Sequence, residues 1–233
     1  MHFPQIISHE NIVIIGDIHG EFGLLNNFLN KKREFKTIIS VGDFGYWPNM
    51  KAVSKNKKYP KKEIIPKLPN GYKLFFCDGN HEDHWSLLNR KTDELYPNCF
   101  YMPRGSILKL DNNFNILFMG GAESHDKITR QLGVDWFPEE SISYKDIANL
   151  PDCKVDMVIA HTAPSAFITP KDYGTKETSR EALNYVLEKY RPSIWYNGHY
   201  HYYHTEYIRG TRWTILNKIR PVAPGPWFEV LKF

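Results

Sequence analysis

Six short and nearly continuous apolar runs, separated by polar and glycine-rich stretches, form the main hydrophobic pattern of this chain. The runs are residues 11–16, 36–42, 72–79, 114–121, 155–161 and 193–199. Each is rich in β-branched or aromatic residues, a composition typical of strands buried on both faces. Because helical segments separate some of these runs, the pattern predicts an α/β fold with a largely parallel sheet.

Two segments between the runs have the spacing of amphipathic helices. In residues 21–35, leucine and phenylalanine recur at helical spacing. Residues 179–192 form the second segment, in which Ser179 is placed to cap the N-terminus of the helix. The tail from residue 202 to 233 contains β-rich pieces with turns, and it predicts strands that close a sheet edge or a second sheet.

The composition fits one globular domain spanning residues 1–233. Of the 233 residues, 42% are hydrophobic, which is enough for a large core. The odd set of cysteines, Cys77, Cys99 and Cys153, favours a reducing compartment over a disulfide framework. No apolar stretch reaches the roughly 18 residues of a membrane helix, so we expect a soluble, cytoplasmic protein without a membrane partner. The net charge of +4 is a mild excess that suits an anionic substrate.

Polar residues with metal-binding side chains follow five of the six apolar runs. They are Asp17, His19, Asp43, Asn80, His81, His161, His199 and His201. In open α/β sheets, ligands bind outside the carboxyl ends of the strands, where loops are free to carry chemistry. We therefore expect these side chains to meet at one site. Taken singly, each has another explanation: His161 could be a core histidine bonded to a carbonyl, and His199 and His201 could lie on opposite faces of a strand.

The residue types indicate a centre with two divalent ions. Imidazole, carboxylate and amide ligands together suit Mn most, with Fe or Zn as alternatives, whereas Ca or Mg would favour oxygen ligands alone. The candidates are too many for one tetrahedral ion, so a carboxylate shared between two ions is expected. Two ions about 3.5–4 Å apart can clamp the attacking and leaving oxygens of an in-line displacement.

The ordered series "GDIHG…GDFG…GNHE…H…GHYH", over residues 12–201, resembles the calcineurin-like metallophosphoesterase family. The resemblance implies an α/β fold, a two-sheet sandwich flanked by helices, with a dinuclear metal centre at its strand ends. It implies one ion held by Asp17, His19 and His201, a second ion held by Asn80, His161 and His199, and Asp43 as the bridge. His81 would lie near the leaving group, as a general acid or as a stabiliser of the phosphoryl oxygens.

The chain departs from the family pattern at the segment that grips phosphate. Phosphoprotein phosphatases of the family carry "GDxVDRG", whereas this chain reads "GDFGYWP" without an arginine. Arg104 and Arg130 are the candidate replacements, since a guanidinium binds phosphate with two parallel hydrogen bonds. Residues 119–133 resemble a segment of small bacterial and phage-type members, and His125 and Asp126 within it are expected to line the site.

The expected substrate is a phosphate ester, and three interpretations remain open. A phosphodiesterase, nuclease or nucleotide-directed enzyme is slightly favoured, because the seven lysines of residues 51–67 could form a basic rim beside base-stacking aromatics. A phosphomonoesterase, including a phosphoprotein phosphatase, would need a tight arginine-lined pocket. A non-catalytic metal-binding scaffold is the third, and the presence of His81 argues against it. For the lysine-rich segment itself a solvated loop is the favoured interpretation, because charge runs are usually exposed faces.

Overall fold

A computed structural model of the chain describes residues 6–48, 64–169, 177–220 and 225–233. The lysine-rich segment 51–67 falls outside these ranges except for its last four residues. Within them, the strands form two six-stranded sheets. None of the helices in these ranges is long and apolar enough to cross a membrane.

The first sheet has parallel strands in its centre and an antiparallel strand at each edge. Its strands are β1 (Ile12–Ile15), β2 (Thr37–Ser40), β3 (Lys73–Phe76), β4 (Glu94–Tyr96), β5 (Cys99–Tyr101) and β12 (Phe228–Val230). Their order is β12-β1-β2-β3-β5-β4. Strands β1, β2, β3 and β5 run parallel, and the edges β12 and β4 run antiparallel to their neighbours.

The second sheet repeats this plan. Its strands are β6 (Ser106–Lys109), β7 (Asn115–Met119), β8 (Met157–Ala160), β9 (Ile194–Asn197), β10 (His204–Ile208) and β11 (Thr211–Ile215). Their order is β10-β11-β9-β8-β7-β6. The four central strands β7, β8, β9 and β11 are parallel, and the edges β6 and β10 are antiparallel.

Helices cover the outer faces of both sheets. They are α1 (Phe22–Lys31), α2 (His84–Leu88), α3 (Tyr144–Ala148) and α4 (Thr178–Tyr190), with short 3-10 turns at Lys127–Thr129 and Pro138–Glu140. The predicted cap of the last helix is wrong. Helix α4 starts before Ser179, whose hydroxyl oxygen instead accepts the backbone N–H of Ile142 at 2.9 Å.

The two sheets and the helices outside them form four layers, with one apolar cluster between each pair of neighbouring layers. The middle cluster packs Ile14 and Phe75 of the first sheet against Phe118 and Ile159 of the second. A second cluster lies between the first sheet and α1, and a third lies between the second sheet and α4. Strands covered on both faces explain why their sequences read as continuous apolar runs.

The two-sheet sandwich flanked by helices is confirmed, and each of the six apolar runs contains a strand. The single largely parallel sheet suggested by the strand pattern alone is wrong, because the runs divide equally between two sheets. The tail does both things expected of it: β10 and β11 extend the second sheet, and β12 closes an edge of the first.

Candidate metal centre

The loops that follow β1, β2 and β3 of the first sheet meet the loops that follow β8 and β9 of the second. These loops bring together all seven residues predicted as metal ligands, in two groups on either side of Asp43. We call Asp17, His19 and His201 the outer cluster, and Asn80, His161 and His199 the inner cluster. The grouping is the one that the family resemblance implied.

In the outer cluster, two imidazoles and two carboxylates converge. The Nε2 atoms of His19 and His201 lie 2.9 Å apart. His201 Nε2 is 3.2 Å from Asp17 Oδ2, and His19 Nε2 is 3.4 Å from Asp43 Oδ2. One donor atom from each of these four residues falls within 4.8 Å of the others, which is compact enough to surround a single cation.

In the inner cluster, two imidazoles share one amide oxygen. The side-chain oxygen of Asn80 lies 3.2 Å from His161 Nε2 and 3.1 Å from His199 Nδ1. His161 Nε2 is also 3.2 Å from Asp43 Oδ1, while its Nδ1 faces the carbonyl oxygen of Val41 at 3.1 Å. That carbonyl fixes the ring, so that Nε2 is the atom directed at the cluster.

Asp43 stands between the clusters, and each of its oxygens faces a different one. Oδ2 points to His19 of the outer cluster, and Oδ1 points to His161 of the inner cluster. Oδ1 also accepts the backbone N–H groups of Asn80 and His81, both at 2.9 Å. The carboxylate is thus fixed by backbone hydrogen bonds with one oxygen towards each cluster.

The backbone at the centre is strained. His19, Asp43, His199 and His201 have φ values of 50°, 45°, 68° and 55°, in the left-handed region that side chains other than glycine rarely adopt. Such strain, about 1–3 kcal/mol at each position, persists where the surroundings over-determine the conformation, and it concentrates at functional sites. Gly198 serves the same packing, because a Cβ there would overlap the carboxylate of Asp17.

The centre holds two buried carboxylates among histidines. Asp17 and Asp43 are buried, and within the described residues their ion pairs are all with histidines. Burial raises the pKa of Asp43, but nearby His161, His19 and His81 outweigh it and hold that pKa well below its usual range. Burial likewise lowers the pKa of His161, yet Asp43 and Asp17 raise it to about 10. Buried carboxylates are stable only when paired or metal-bound, so this set of oxygens and imidazoles fits divalent ions.

Glu82 links the loops after β2 and β3 through backbone hydrogen bonds. Its two carboxylate oxygens accept the backbone N–H groups of Gly45 at 3.0 Å and Gly79 at 2.6 Å. Burial and the nearby charge of Asp43 raise the pKa of Glu82 to about 8. Glu82 therefore ties the second and third motifs together, as expected of a residue behind the ligands. Asp83 has a different place, because its side chain caps α2 by accepting the N–H of Ser86 at 2.9 Å.

His81 and Arg130 lie together beside the outer cluster. The ring centroids of His81 and His19 are 5.0 Å apart. Arg130 Nη2 lies 3.2 Å from His81 Nε2 and 2.7 Å from Asp126 Oδ1. Burial lowers the pKa of His81. Within residues 119–133, Asp126 thus orients Arg130 next to His81, the proposed leaving-group residue.

Arg104 has a structural place instead. All three nitrogens of its guanidinium are engaged, and the side chain is only 9% exposed. Its acceptors are Asp78 Oδ2 at 2.6 Å, Asp146 Oδ2 at 3.3 Å, and the carbonyl oxygens of Glu139, Glu140 and Ser141. Each guanidinium nitrogen of Arg104 thus has an acceptor within the protein, which leaves Arg104 poorly placed to bind a phosphate.

Three residues near the centre carry no signal in the sequence pattern. Ser124 and Glu140 are buried beside Asn80, and their contacts are described below. Glu177 lies with its Oε1 atom 3.3 Å from His125 Nε2. His125 in turn stacks near His199, with ring centroids 5.9 Å apart. His125 therefore lies next to His199 of the inner cluster, in line with the expectation that it lines the site.

Comparison with known proteins agrees with this geometry. The crystal structure of TT1561 of Thermus thermophilus is 11% identical, with a TM-score of 0.54 over 90% of this chain and 89% of that chain. Another crystal structure is 16% identical, with a TM-score of 0.53 over 89% of this chain and 90% of that one. At these identities the likeness shows the fold alone. No curated protein sequence matches the chain. The family model for calcineurin-like phosphoesterases matches residues 10–203. The chain therefore belongs to the calcineurin-like phosphoesterases, a family of metal-dependent hydrolases of phosphate esters.

Proposed function

We propose that the chain hydrolyses phosphate esters at a dinuclear centre, with one ion in the outer cluster, one in the inner cluster, and Asp43 between them. The observation that carries the proposal is the division of the Asp43 carboxylate, whose oxygens lie 3.4 Å from His19 Nε2 and 3.2 Å from His161 Nε2. Each oxygen of this carboxylate thus faces its own set of candidate ligands, which supports one ion on either side of Asp43.

Divalent ions bound here would supply Lewis-acid stabilisation of charge and lower the pKa of water. Mn is the favoured ion, with Fe or Zn as alternatives, because the donors mix carboxylate, amide and imidazole. The chain itself supplies the rigid frame. Gly198 keeps the backbone against Asp17, and the second and third motifs are tied through Glu82. Such preorganisation lets the donors act without rearranging during the reaction.

His81 and Arg130 are the proposed contacts to the phosphoryl oxygens. Arg130 is held by Asp126 and donates to His81 Nε2, so in the substrate-free arrangement neutral His81 carries its proton on Nδ1 and must be protonated on Nε2 before that atom can donate to a phosphoryl oxygen. A phosphoryl oxygen arriving beside His81 would accept the same Arg130 hydrogen bond. The guanidinium is thus oriented before substrate binds, which reduces the entropy lost on binding.

A phosphodiester, including a nucleotide or nucleic acid, is the proposed substrate class. With Arg104 engaged elsewhere, Arg130 is the remaining member of the two arginines suggested by the sequence. A diester carries one negative charge, whereas a monoester carries about −1.5 to −2 at neutral pH. A single guanidinium matches the diester better, which supports the slight preference for diesters over monoesters.

The test is hydrolysis by chelated protein that is then reloaded with Mn. We expect turnover of bis(p-nitrophenyl) phosphate after reloading and none after chelation, with slower turnover of p-nitrophenyl phosphate. Faster turnover of the monoester would reverse the proposed preference. Protein that binds two ions and hydrolyses neither ester would identify a binding scaffold rather than an enzyme.

A further inference from the structure

A line of buried polar side chains leads from the inner cluster to the short turn at Pro138–Glu140. The side-chain N–H of Asn80 donates to Ser124 Oγ at 3.1 Å, and the Ser124 hydroxyl donates to Glu140 Oε2 at 2.7 Å. Asn80, Ser124 and Glu140 are 6%, 2% and 2% exposed. Because an unpaired buried polar group is costly, the direction of each donor in this line matters.

Glu140 is an acceptor at both of its oxygens. Oε1 accepts the backbone N–H of Ser124 at 2.6 Å and the indole N–H of Trp136 at 3.1 Å. Oε2 accepts the hydroxyl of Ser124. A serine hydroxyl has one proton, and here that proton is given to Glu140. Towards Asn80, the Ser124 oxygen can therefore only accept.

This direction determines which end of the Asn80 amide faces the inner cluster. The NH₂ group must face Ser124, so the amide oxygen must face His161 Nε2 at 3.2 Å and His199 Nδ1 at 3.1 Å. An amide oxygen can coordinate a cation, whereas the NH₂ group is a donor and repels it. The two orientations of a side-chain amide have nearly the same shape, so shape alone does not select one of them.

We infer that Glu140 and Ser124 are positioning residues for Asn80, and that Glu140, by accepting at both of its oxygens, sets the amide in its metal-binding orientation. The inference rests on the proposed inner ion and adds what selects the ligand atom. Neither residue touches the substrate in this account. Partners of this kind typically affect metal affinity by about 10–100-fold.

The isosteric change Glu140→Gln should invert the line. The two N–H groups at Oε1 require the amide oxygen of the new glutamine there, which leaves its NH₂ facing Ser124. Ser124 then accepts from the glutamine, and its freed hydroxyl proton is satisfied by donating towards Asn80. Asn80 would turn its oxygen to Ser124 and its NH₂ to the inner cluster. Exchanging one buried oxygen of residue 140 for a nitrogen is thus expected to remove the Asn80 oxygen as a ligand of the inner cluster.

The experiment titrates chelated protein with Mn by calorimetry, which reports both sites without substrate turnover. For Glu140→Gln we expect inner-site affinity to fall by about 10–100-fold, while outer-site affinity stays unchanged. Ser124→Ala leaves the Asn80 amide untethered, and we expect a smaller loss. Glu139→Gln is the matched control: this neighbouring side chain accepts a hydrogen bond from Trp85 at 3.1 Å and can still do so as an amide.

The double variant Glu140→Gln with Ser124→Ala decides between positioning and simple damage. If the direction of the hydrogen bonds matters, adding Ser124→Ala removes the wrong donor and restores affinity to the level of Ser124→Ala alone. A double variant weaker than Glu140→Gln would overturn the inference, as would a Glu140→Gln variant with wild-type affinity at both sites. Wild-type protein that binds no Mn would overturn the proposed function as well, and wild-type binding of two ions separates the two outcomes.

Discussion

The outer and inner clusters use similar residues but are built differently. In the outer cluster, the side chains of His19 and His201 are 22% and 30% exposed. In the inner cluster, His161 is fully buried and Asn80 is held by the buried pair of Ser124 and Glu140. The outer cluster depends on strained turns at His19 and His201 next to solvent, whereas the inner one combines one such turn, at half-buried His199, with packing and a second layer of hydrogen bonds.

Solvent exposure of the outer donors and hydrogen-bond support of the inner donors therefore serve different roles in one site. Solvent-facing donors leave room for a substrate beside them, and His81 and Arg130 lie on that side. Buried donors cannot rearrange, so they gain strength from the low dielectric but depend on complete hydrogen bonding. We therefore expect substitutions in the inner cluster to affect metal binding more than equivalent substitutions in the outer cluster.

Asp43→Asn should have the largest effect, because it acts on both clusters at once. Loss of the bridging charge should reduce ion occupancy on both sides and lower turnover of bis(p-nitrophenyl) phosphate to the level of chelated protein. Elemental analysis of purified protein, together with the rate, measures this. A variant that keeps two ions and a normal rate would refute the bridging role.

His161→Ala and His201→Ala are a matched pair that separates the clusters. Each should lose one ion, and we expect each to lower turnover by more than about 100-fold, above the range for residues behind the ligands. His161→Ala should weaken Mn binding more, because water can replace the exposed imidazole of His201 but enters the buried inner cluster less easily. Calorimetric titration compares them, and equal losses at both positions would remove the distinction between the clusters.

His81→Ala should lower the rate without emptying either cluster. General acid–base groups contribute about 10²–10⁴-fold, and we expect a loss near the lower end because Arg130 stays in place. Metal content should remain nearly intact, since the His81 contact to Asp43 is made by its backbone N–H, which alanine retains. A variant that loses ions together with activity would show that His81 belongs to the metal site instead.

Arg130→Ala and Arg104→Ala should have small effects on turnover and contrasting effects on stability. Arg130→Ala should raise KM for the diester and destabilise the fold less than Arg104→Ala, because the Asp126 carboxylate that it leaves behind is 60% exposed. Arg104→Ala leaves Asp78 buried without its partner, which typically costs about 3–5 kcal/mol of stability. Denaturant unfolding and steady-state kinetics on both variants measure the contrast. The assignment of the two arginines would be reversed if Arg104→Ala raised KM at full stability.

The sequence predicts the candidate metal ligands well, because each motif follows directly on its own strand. Asp17, Asp43 and His161 are fixed by the ends of β1, β2 and β8, and an apolar run with polar punctuation is a local signal. The division into two sheets is not local. Strands of both sheets are buried on two faces, so their patterns are alike, and the family resemblance was needed to separate them.

The support of the inner cluster could not be read from the sequence. Glu140 lies 16 positions from Ser124 and 60 from Asn80, in a short turn without a recognisable motif. Arg104 was chosen for its side-chain type, but its partner Asp78 is 26 positions away and turns it into a structural residue. Strands β4 to β6 were also missed, since residues 94–109 mix prolines and polar residues without a clear period.

The most direct test of two ions flanking Asp43 is anomalous diffraction from crystals of the protein grown or soaked with Mn. The account predicts two peaks, one beside His19 and His201 and the other beside His161 and His199, with Asp43 contacting both. A single peak, or peaks away from Asp43, in crystals of active protein would contradict it.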